Sequence, residues 1–430
     1  MSKRFQAIIN IFEDKNKKRL VENVFSLSVL QVANFILPLV TIPYLVRVLG
    51  AEKFGLVMFA YAFNQYFVML VDFGFSLSAT REIALNRNNP QKISEIFWSI
   101  MAIKTLFLMF CFIVLVSVVS YFDKFKIDYQ IYLLSYGVAV GQAYFPVWFY
   151  QGMEKMKFVT MLNVIAKLIF ALLLFVVVNK PDDYTYVPLM NSLGFISASV
   201  ISFYLVIKVF NVKFVVPNLS FMLLMLKKSY QFFISRAAVS FYTNSNAFVI
   251  GLVLGNVSVG YYIAAEKLFN AIGALYVPLS DSLYPYMSKR KDIKTYKAVF
   301  VAASTSNLVI CIFVFFFSFK IISLIYGPGF EQSASLLELF AILACIFVPS
   351  VLLGYPLLAA MGYPGYANYS IVIAAIVHVA MLLAFMPILS LELVVILLII
   401  TQSVVIVFRI IGVRLKLSLT PIILKTITTD

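Results

Sequence analysis

Long apolar segments with few charges recur along the whole 430-residue chain. Each lasts roughly 18–25 residues, the length that an α-helix needs to cross the hydrocarbon core of a bilayer. Apolar and polar residues do not alternate within these segments, which excludes a membrane β-barrel. The sequence therefore predicts an all-α polytopic membrane protein with twelve transmembrane helices, near 23–46, 54–71, 98–120, 131–150, 159–178, 187–207, 237–254, 261–287, 298–319, 336–360, 367–388 and 393–413.

The charged residues are few and unevenly placed. Hydrophobic residues make up 62% of the chain and charged residues 12%, yet the formal net charge is +15. With residues 1–22 inside, most Lys and Arg fall near the chain ends or in the inner loops. This bias predicts two cytoplasmic termini and explains the positive charge without a nucleic-acid partner. A full-length apolar run follows residues 1–22, so we expect a cytoplasmic lead-in rather than a cleaved signal peptide.

Two short sequence phrases each occur twice. Leu49–Gly55 and Leu254–Gly260 share the spacing L-G-x4-G, and each copy separates two apolar runs, the first from the second and the seventh from the eighth. Pro146–Gly152 and Pro356–Gly362 share P-x5-G and close the fourth and the tenth runs. Because the two pairs agree in order and position, they indicate a duplicated chain, as in many membrane transporters.

The duplication divides the chain into two halves. Six apolar runs precede residue 208 and six follow residue 236, so both halves enter the membrane from the same side. This predicts two six-helix bundles related by a parallel pseudo-twofold axis along the membrane normal. The predicted domains are a cytoplasmic lead-in at 1–22, an N-terminal bundle at 23–208, a cytoplasmic linker with an interfacial helix at 209–236, a C-terminal bundle at 237–413 and a cytoplasmic tail at 414–430.

Prolines lie inside several of the predicted spans. Pro38 and Pro43 fall in the first span, and Pro278 and Pro285 fall in the eighth. A proline frees a backbone carbonyl and bends a helix. We interpret these two spans as gating helices with proline hinges, and simple helix curvature is the alternative.

Three stretches carry a family resemblance, at Asn34–Gly55, Asp72–Ala84 and Tyr150–Glu154. They resemble the polysaccharide-unit flippases of the Wzx type, in the superfamily that includes the MATE exporters and the lipid II flippase MurJ. The resemblance implies two helix bundles around a central cavity lined by the first, second, seventh and eighth helices. It also implies alternating access that moves undecaprenyl-diphosphate-linked repeat units of O-antigen or a related polysaccharide from the inner to the outer leaflet of the bacterial inner membrane. Membrane lipids, a polysaccharide polymerase and a chain-length regulator are the candidate partners.

Ionisable residues inside spans are costly and are therefore functional candidates. Glu266 and Lys267 lie side by side in the eighth span, where adjacent helical residues do not face each other. We expect Lys267 to contact the anionic substrate, and Glu266 or Asp281 to couple transport to H⁺ or Na⁺. Asn270 extends the polar stripe by one turn. A structural ion pair between helices is the alternative for Glu266 and Lys267.

Five further residues complete the candidates for substrate binding. Lys104 and Lys167 lie in the inner halves of the third and fifth spans, where they either reach the lipid headgroups or contact the diphosphate. Arg47 and Arg236 lie at the ends of the first and seventh spans, and their planar guanidinium groups suit a diphosphate. Asn34 is a polar side chain inside the first span.

No pattern for a metal or an organic cofactor is present in the sequence. The single histidine, His378, lies mid-span without a second histidine or an acid in that span. We expect it to pack between helices, and a proton-coupling role is the alternative. The cysteines form no metal-ligand or disulfide spacing and are expected to be packing residues, at Cys111, Cys311 and Cys345.

Two other functions compete with a flippase. A membrane glycosyltransferase or polymerase needs a large loop or an acidic or histidine cluster for its chemistry, and the outer loops here are short. The sequence therefore predicts a transporter, not an enzyme. A multidrug exporter of the MATE type would share the fold, and the mixture of Lys and acids within the spans favours an anionic substrate only modestly.

Overall fold

A computed structural model describes the backbone of residues 15–417. Side chains are described throughout this range except at 15–36, 235, 238–239, 241–244 and 417. The first fourteen residues of the predicted lead-in, the tail beyond residue 417 and the side chain of Asn34 therefore lie outside the described residues. Every regular element within 15–417 is helical, which confirms the all-α prediction.

The first part of the chain forms helices up to residue 208. The long helix α1 changes direction at Gly50, where φ is 69° and ψ is 175°. A 3₁₀ turn at Pro181–Thr185 precedes α8. The helices are α1 (Lys15–Asp72), α2 (Phe75–Leu85), α3 (Pro90–Tyr121), α4 (Asp123–Lys126), α5 (Tyr129–Tyr144), α6 (Val147–Gly152), α7 (Met156–Val177) and α8 (Tyr186–Lys208).

The second part of the chain repeats this pattern of long and broken helices. A π-helix at Leu353–Ala359 follows α13, and a 3₁₀ turn at Met386–Ile388 follows α14. The helices are α9 (Leu219–Val253), α10 (Asn256–Ala274), α11 (Val277–Arg290), α12 (Ile293–Tyr326), α13 (Gln332–Leu352), α14 (Pro364–Ala384) and α15 (Leu391–Leu417).

Eight helical stretches within the described residues are long and apolar enough to cross a membrane. They confirm a polytopic membrane protein, and their mean hydropathy reaches 2.8 in α12. They are Leu37–Leu85, Pro90–Tyr121, Met156–Val177, Pro181–Lys208, Ile293–Tyr326, Gln332–Ala359, Pro364–Ala384 and Leu391–Lys416.

The chain folds into two compact units. Among the described residues, the first unit contains 15–41 together with Ala60–Ala237, and the second contains Ile42–Phe59 together with 238–417. In the first unit, α5 and α8 approach closely because Gly137 and Gly141 have no side chains; a Cβ at Gly137 would lie 2.6 Å from that of Ser192. In the second unit, α13 packs against α10, α12 and α15.

Two predicted spans are interrupted in the structure. The run at 131–150 is split into α5 and α6 at Pro146, which cannot continue the hydrogen bonding of a helix. The run at 261–287 is split into α10 and α11 at Leu275 and Tyr276. Pro278 stands in the first turn of α11, where a proline costs no hydrogen bond, whereas Pro285 lies inside α11. The predicted eighth span is therefore broken just before Pro278 and not at a proline.

The predicted linker helix and the seventh span form a single helix. The sequence separates them at residue 236, but α9 runs from Leu219 to Val253 without a break. Its sequence contains no proline, and its one glycine, Gly251, lies in the last turn. Asn218 begins this helix, because its side-chain oxygen accepts a hydrogen bond from the amide of Ser220.

The start of α9 covers the break between α1 and α2. Phe73 and Gly74 have positive φ values of 42° and 77° at this break. Phe233 of α9 stacks on Phe73 with ring centroids 4.6 Å apart, and the hydroxyls of Ser78 and Ser229 lie 2.6 Å apart. A Cβ at Gly74 would lie 2.8 Å from the backbone nitrogen of Phe233, so glycine is needed there for contact as well as for conformation.

The stretches that carry the family resemblance pack together in the first unit. A Cβ at Gly152 would lie 2.7 Å from the Cβ of Ile83. Arg87 donates to the carbonyl of Gly152 and forms a 2.8 Å ion pair with Glu154. The sequence phrase around Gly152 is thus a close-packing motif between α6 and α2.

We predict that Asp292 stabilises the start of α12. Its carboxylate accepts hydrogen bonds from the hydroxyl and the amide of Thr295 and from the hydroxyl of Tyr286, which lower its pKa from 3.8 to about 2. Asp292→Ala should lower the Tm of the purified protein at neutral pH.

The pH dependence provides a second check on Asp292. A depressed pKa adds stability that is complete above about pH 4 and is lost as the pH falls to about 2. Asp292→Asn keeps a capping oxygen without this titration, so its Tm should vary less than that of the native protein over this range. An equal pH dependence in the two proteins would contradict the assignment.

Candidate functional site: polar residues within the apolar helices

Lys104 forms a buried ion pair in the first unit. Its side chain is 3% exposed, and its Nζ lies 3.6 Å from Oδ1 of Asp72, which is 27% exposed. Asp72 is the last residue of α1, directly before the break at Phe73. The Lys104 ammonium is therefore buried beside an acid and does not extend to the lipid headgroups. This placement differs from the headgroup alternative drawn from the sequence.

The polar candidates of the predicted eighth span all lie in the second unit. Glu266 accepts a hydrogen bond of 3.1 Å from the hydroxyl of Tyr262, one turn earlier in α10. Lys267 is half-buried and makes no ion pair with a carboxylate that the structure describes. Asn270 and Asp281 are exposed, in α10 and α11 respectively. Within the described residues, Glu266 and Lys267 form no ion pair with a side chain of another helix.

Arg47 binds the end of another helix in the second unit. Its Nε donates to the carbonyl of Ile325 at 3.0 Å, and Nη2 donates to the carbonyl of Leu324. Both carbonyls lie in the last turn of α12, where a helix presents unpaired carbonyls and partial negative charge. In this structure Arg47 stabilises a helix end.

The remaining candidates are dispersed. Arg236 is exposed on α9, and Lys167 is half-buried on α7, both within the first unit. The side chain of Asn34 is outside the described residues. None of these placements tests a substrate contact, so the three assignments stay predictions.

His378 is the centre of a buried polar cluster in the second unit. Its Nδ1 lies 3.0 Å from the hydroxyl of Thr401 in α15, and its Nε2 lies 2.9 Å from Oδ1 of Asn246 in α9. Thr401 also donates to the carbonyl of Leu397. The histidine thereby joins three helices. Within the described residues, no group of three or more His, Cys, Asp or Glu could hold a metal ion.

Arg409 is a functional candidate that the sequence analysis did not single out. It is 5% exposed inside α15. Its Nη1 donates to the carbonyl of Ser350 at 2.6 Å, and its Nε donates to the hydroxyl of Ser370 at 3.1 Å. A Cβ at Gly354 would lie 2.7 Å from Nη1, so the guanidinium is packed directly against the π-helix. The only sequence signal was an arginine inside an apolar run.

Comparison with known proteins identifies the family. The family model described as polysaccharide biosynthesis protein matches residues 20–291, more than half of the chain. The chain belongs to this family. It is 30% identical over 336 residues to a protein of Escherichia coli (strain K12) named as an O-antigen transporter, covering 76% of this chain and 80% of that protein. A Shigella dysenteriae protein with the same name is 27% identical over 366 residues, covering 83% of this chain and 90% of that protein.

Solved structures support the fold of this polysaccharide biosynthesis family member. The lipid II flippase MurJ, in an inward closed conformation, matches with a TM-score of 0.68 at 13% identity, covering 90% of this chain and 87% of that chain. An inward-facing multidrug resistance MATE family transporter matches with a TM-score of 0.65 at 12% identity, covering 92% and 98%. The predicted resemblance to Wzx-type flippases and their superfamily is confirmed, and the relatives are named as transporters, not enzymes.

We predict an asymmetric cost for breaking the pair of Lys104 and Asp72. Asp72→Asn leaves a buried ammonium without its acid and should lower the free energy of unfolding by about 3 kcal/mol. Lys104→Met should cost less, because the carboxylate left behind is partly exposed. The double variant should regain most of the loss, as measured by thermal unfolding in detergent.

Transport by the same double variant tests the substrate role of Lys104. If the double variant is stable but no longer transports, the result supports Lys104 as a substrate contact. A stable variant that transports at the native rate would restrict Lys104 to structural support.

Proposed function

We propose that this chain is a flippase that moves undecaprenyl-diphosphate-linked oligosaccharide repeat units, of O-antigen or a related surface polysaccharide, from the inner to the outer leaflet of the bacterial inner membrane. The observation that carries the proposal is the similarity, over most of both chains, to proteins named as O-antigen transporters. The likeness of the fold to a lipid II flippase agrees with a lipid-linked substrate.

The proposed architecture has twelve transmembrane segments in two six-helix bundles, at 23–208 and 237–413. The duplicated helix breaks support it. A break after α1 matches the break between α10 and α11 in the other half, and the break between α5 and α6 matches the π-helix after α13. In this architecture, each pair of helices separated by a break forms one transmembrane span. The excess of Lys and Arg in the inner loops places the lead-in, the linker at 209–236 and the tail in the cytoplasm.

Alternating access is the proposed mechanism, with the proline-bearing spans as gating helices. A diphosphate needs cations at membrane depth, and Lys267 is the leading candidate because it is half-buried in α10 and forms no close ion pair among the described residues. Lys104, Lys167, Arg47, Arg236 and Asn34 are the further candidates. Glu266 and Asp281 are proposed for coupling to H⁺ or Na⁺, with no other cofactor.

The polysaccharide polymerase and the chain-length regulator are the proposed partners, since they would take the translocated unit at the outer leaflet. Membrane lipids surround the protein. The second candidate function is a multidrug antiporter, which the likeness to a MATE transporter favours. Such a protein would lower the susceptibility of cells to cationic drugs without affecting surface polysaccharide.

Deletion of the gene should abolish the surface polysaccharide and cause lipid-linked repeat units to accumulate on the inner leaflet. The strain should lack other family members, so that no second flippase compensates. Gel analysis of surface polysaccharide and extraction of the lipid-linked units give the measurement, with the native gene on a plasmid as control. Normal polysaccharide in the deletion strain, together with raised drug susceptibility, would favour the antiporter.

Lys267→Ala should lower transport at least tenfold while expression and Tm stay near those of the native protein. The physical reason is the loss of a cation at membrane depth. Lys320→Ala on α12 is the matched control, since Lys320 is exposed and is not a substrate candidate. If Lys267→Ala transports at the native rate, Lys267 does not contact the substrate.

A further inference from the structure

Two exposed tyrosines and an amide meet on one surface of the second unit. Tyr284 of α11 and Tyr355 of the π-helix lie edge to face, with ring centroids 6.3 Å apart and planes at 85°. The two residues are 42% and 48% exposed. The hydroxyl of Tyr355 donates to Oδ1 of Asn368 in α14 at 2.6 Å, and Asn368 is also exposed. We name this set of three residues, Tyr284, Tyr355 and Asn368, the tyrosine platform.

A shared hydrophobic core holds the two rings beside each other. Leu283 and Met287, on a different face of α11, are buried in the same cluster as Leu357 of the π-helix. Within Leu353–Ala359, Tyr355 is the only exposed residue. The elements are therefore fixed by their buried residues, while each presents one tyrosine to the outside.

Arg409 connects the two segments that carry Tyr355 and the amide. Its guanidinium donates to the carbonyl of Ser350, just before the π-helix, and to the hydroxyl of Ser370 in α14. Gly354 of the π-helix lies against the same guanidinium, since a Cβ there would be 2.7 Å from Nη1. The buried arginine thus fastens the π-helix to α14 and gives the tyrosine platform a rigid support.

The surface around Tyr284 is polar. Asp281, Tyr284 and Ser288 recur at helical spacing on one face of α11, and all three are exposed. A carboxylate that faces hydrocarbon is costly. Among the described residues, α11 also lies outside the stretches that are apolar enough to cross a membrane. The tyrosine platform therefore adjoins a surface suited to water, in contrast to the lipid-facing sides of the apolar helices.

This combination of side chains suits a sugar ring. A pyranose has faces of C–H bonds that stack on aromatic rings, and an edge of hydroxyls that needs hydrogen-bond partners. Tyrosine supplies a flat apolar surface together with a polar hydroxyl. The bond from Tyr355 engages the amide oxygen of Asn368, whose nitrogen can donate to a sugar oxygen. Because none of its three side chains is charged, the platform suits the glycan rather than the diphosphate.

We propose that the tyrosine platform binds the sugars of the lipid-linked unit at the inner side of the membrane. This inference rests on the proposed function and deepens it, since it separates the residues that hold the glycan from the cations proposed for the diphosphate. The inner position follows from the proposed topology, in which the eighth and tenth spans end, and the eleventh begins, on the cytoplasmic side.

Binding of a free sugar tests the platform directly. The probe is the oligosaccharide repeat unit released by mild acid from the surface polysaccharide of the same strain, because it carries neither the lipid nor the diphosphate. Saturation-transfer NMR with the full chain in detergent and millimolar probe should give a signal. The double variant Tyr284→Leu with Tyr355→Leu should bind the probe about tenfold more weakly, since both stacking surfaces are lost. Tyr284→Phe keeps its ring and should retain the signal.

A matched tyrosine elsewhere distinguishes sugar binding from anchoring at the lipid headgroups. Tyr204 of α8 is also exposed and lies near the inner end of a predicted span. Tyrosines at such positions often anchor helices in the interface. Tyr204→Leu should bind the probe and transport the lipid-linked unit as the native protein does. Equal losses in Tyr204→Leu and the double variant would show that the tyrosines serve only as anchors, and the inference would be wrong.

Transport separates this inference from the proposed function. At limiting substrate, the double variant should move about tenfold less of the lipid-linked unit, with expression and Tm near those of the native protein. Native transport by the double variant, or a native protein that transports but gives no signal with the probe, would overturn the platform and leave the flippase intact. Failure of the native chain to move the lipid-linked unit would instead contradict the proposed function.

Asn368→Ala provides a second test if the double variant folds poorly. It removes one exposed amide and leaves both rings in place, so the fold should tolerate it. The loss of a hydrogen bond should weaken binding of the probe about fivefold. An unchanged affinity in Asn368→Ala would contradict the proposed platform.

Discussion

Backbone hydrogen bonding in lipid constrains every part of this structure, because an unpaired amide or carbonyl in the hydrocarbon core costs several kcal/mol. The chain nevertheless breaks its apolar helices at equivalent places in the two halves. Other elements cover these breaks. The first half of α9 packs over the break at Phe73 and Gly74. The Arg409 guanidinium donates a hydrogen bond to the carbonyl of Ser350, just before the π-helix. Helix breaks are tolerated where a neighbour supplies contacts or donors.

Glycine serves two purposes in this fold. Gly137 and Gly141 bring α5 and α8 together within one half, where close packing of neighbouring helices is sufficient. Gly55 and Gly260 instead bring together equivalent residues of different halves. Lipid tails provide no hydrophobic drive for helices to associate, so small residues and backbone contact have to supply the packing energy. The same residue type therefore serves close packing within one helix pair and between the two repeated phrases.

The two halves are not chemically equivalent. The first unit buries Lys104 against Asp72, whereas the second buries Arg409 among carbonyls and hydroxyls and His378 between Asn246 and Thr401. The repeated sequence phrases are thus not accompanied by a repeated distribution of charge. An asymmetric distribution suits a substrate with a charged headgroup and an apolar tail, which needs different surroundings for its two ends.

The sequence by itself determined the all-helical membrane class and the family, because span length, composition and short phrases are local properties of the chain. It also placed Pro278 in a span that the structure breaks at Leu275 and Tyr276. Only the tertiary structure decided that Lys104 is paired with Asp72, that Arg47 binds the end of α12, that Arg409 is buried against the π-helix, and that the repeated glycines touch each other. Each of these depends on which residues of different helices meet. Helix periodicity predicts which face of a helix is buried. Only the packing of the helices decides which residues of another helix that face contacts.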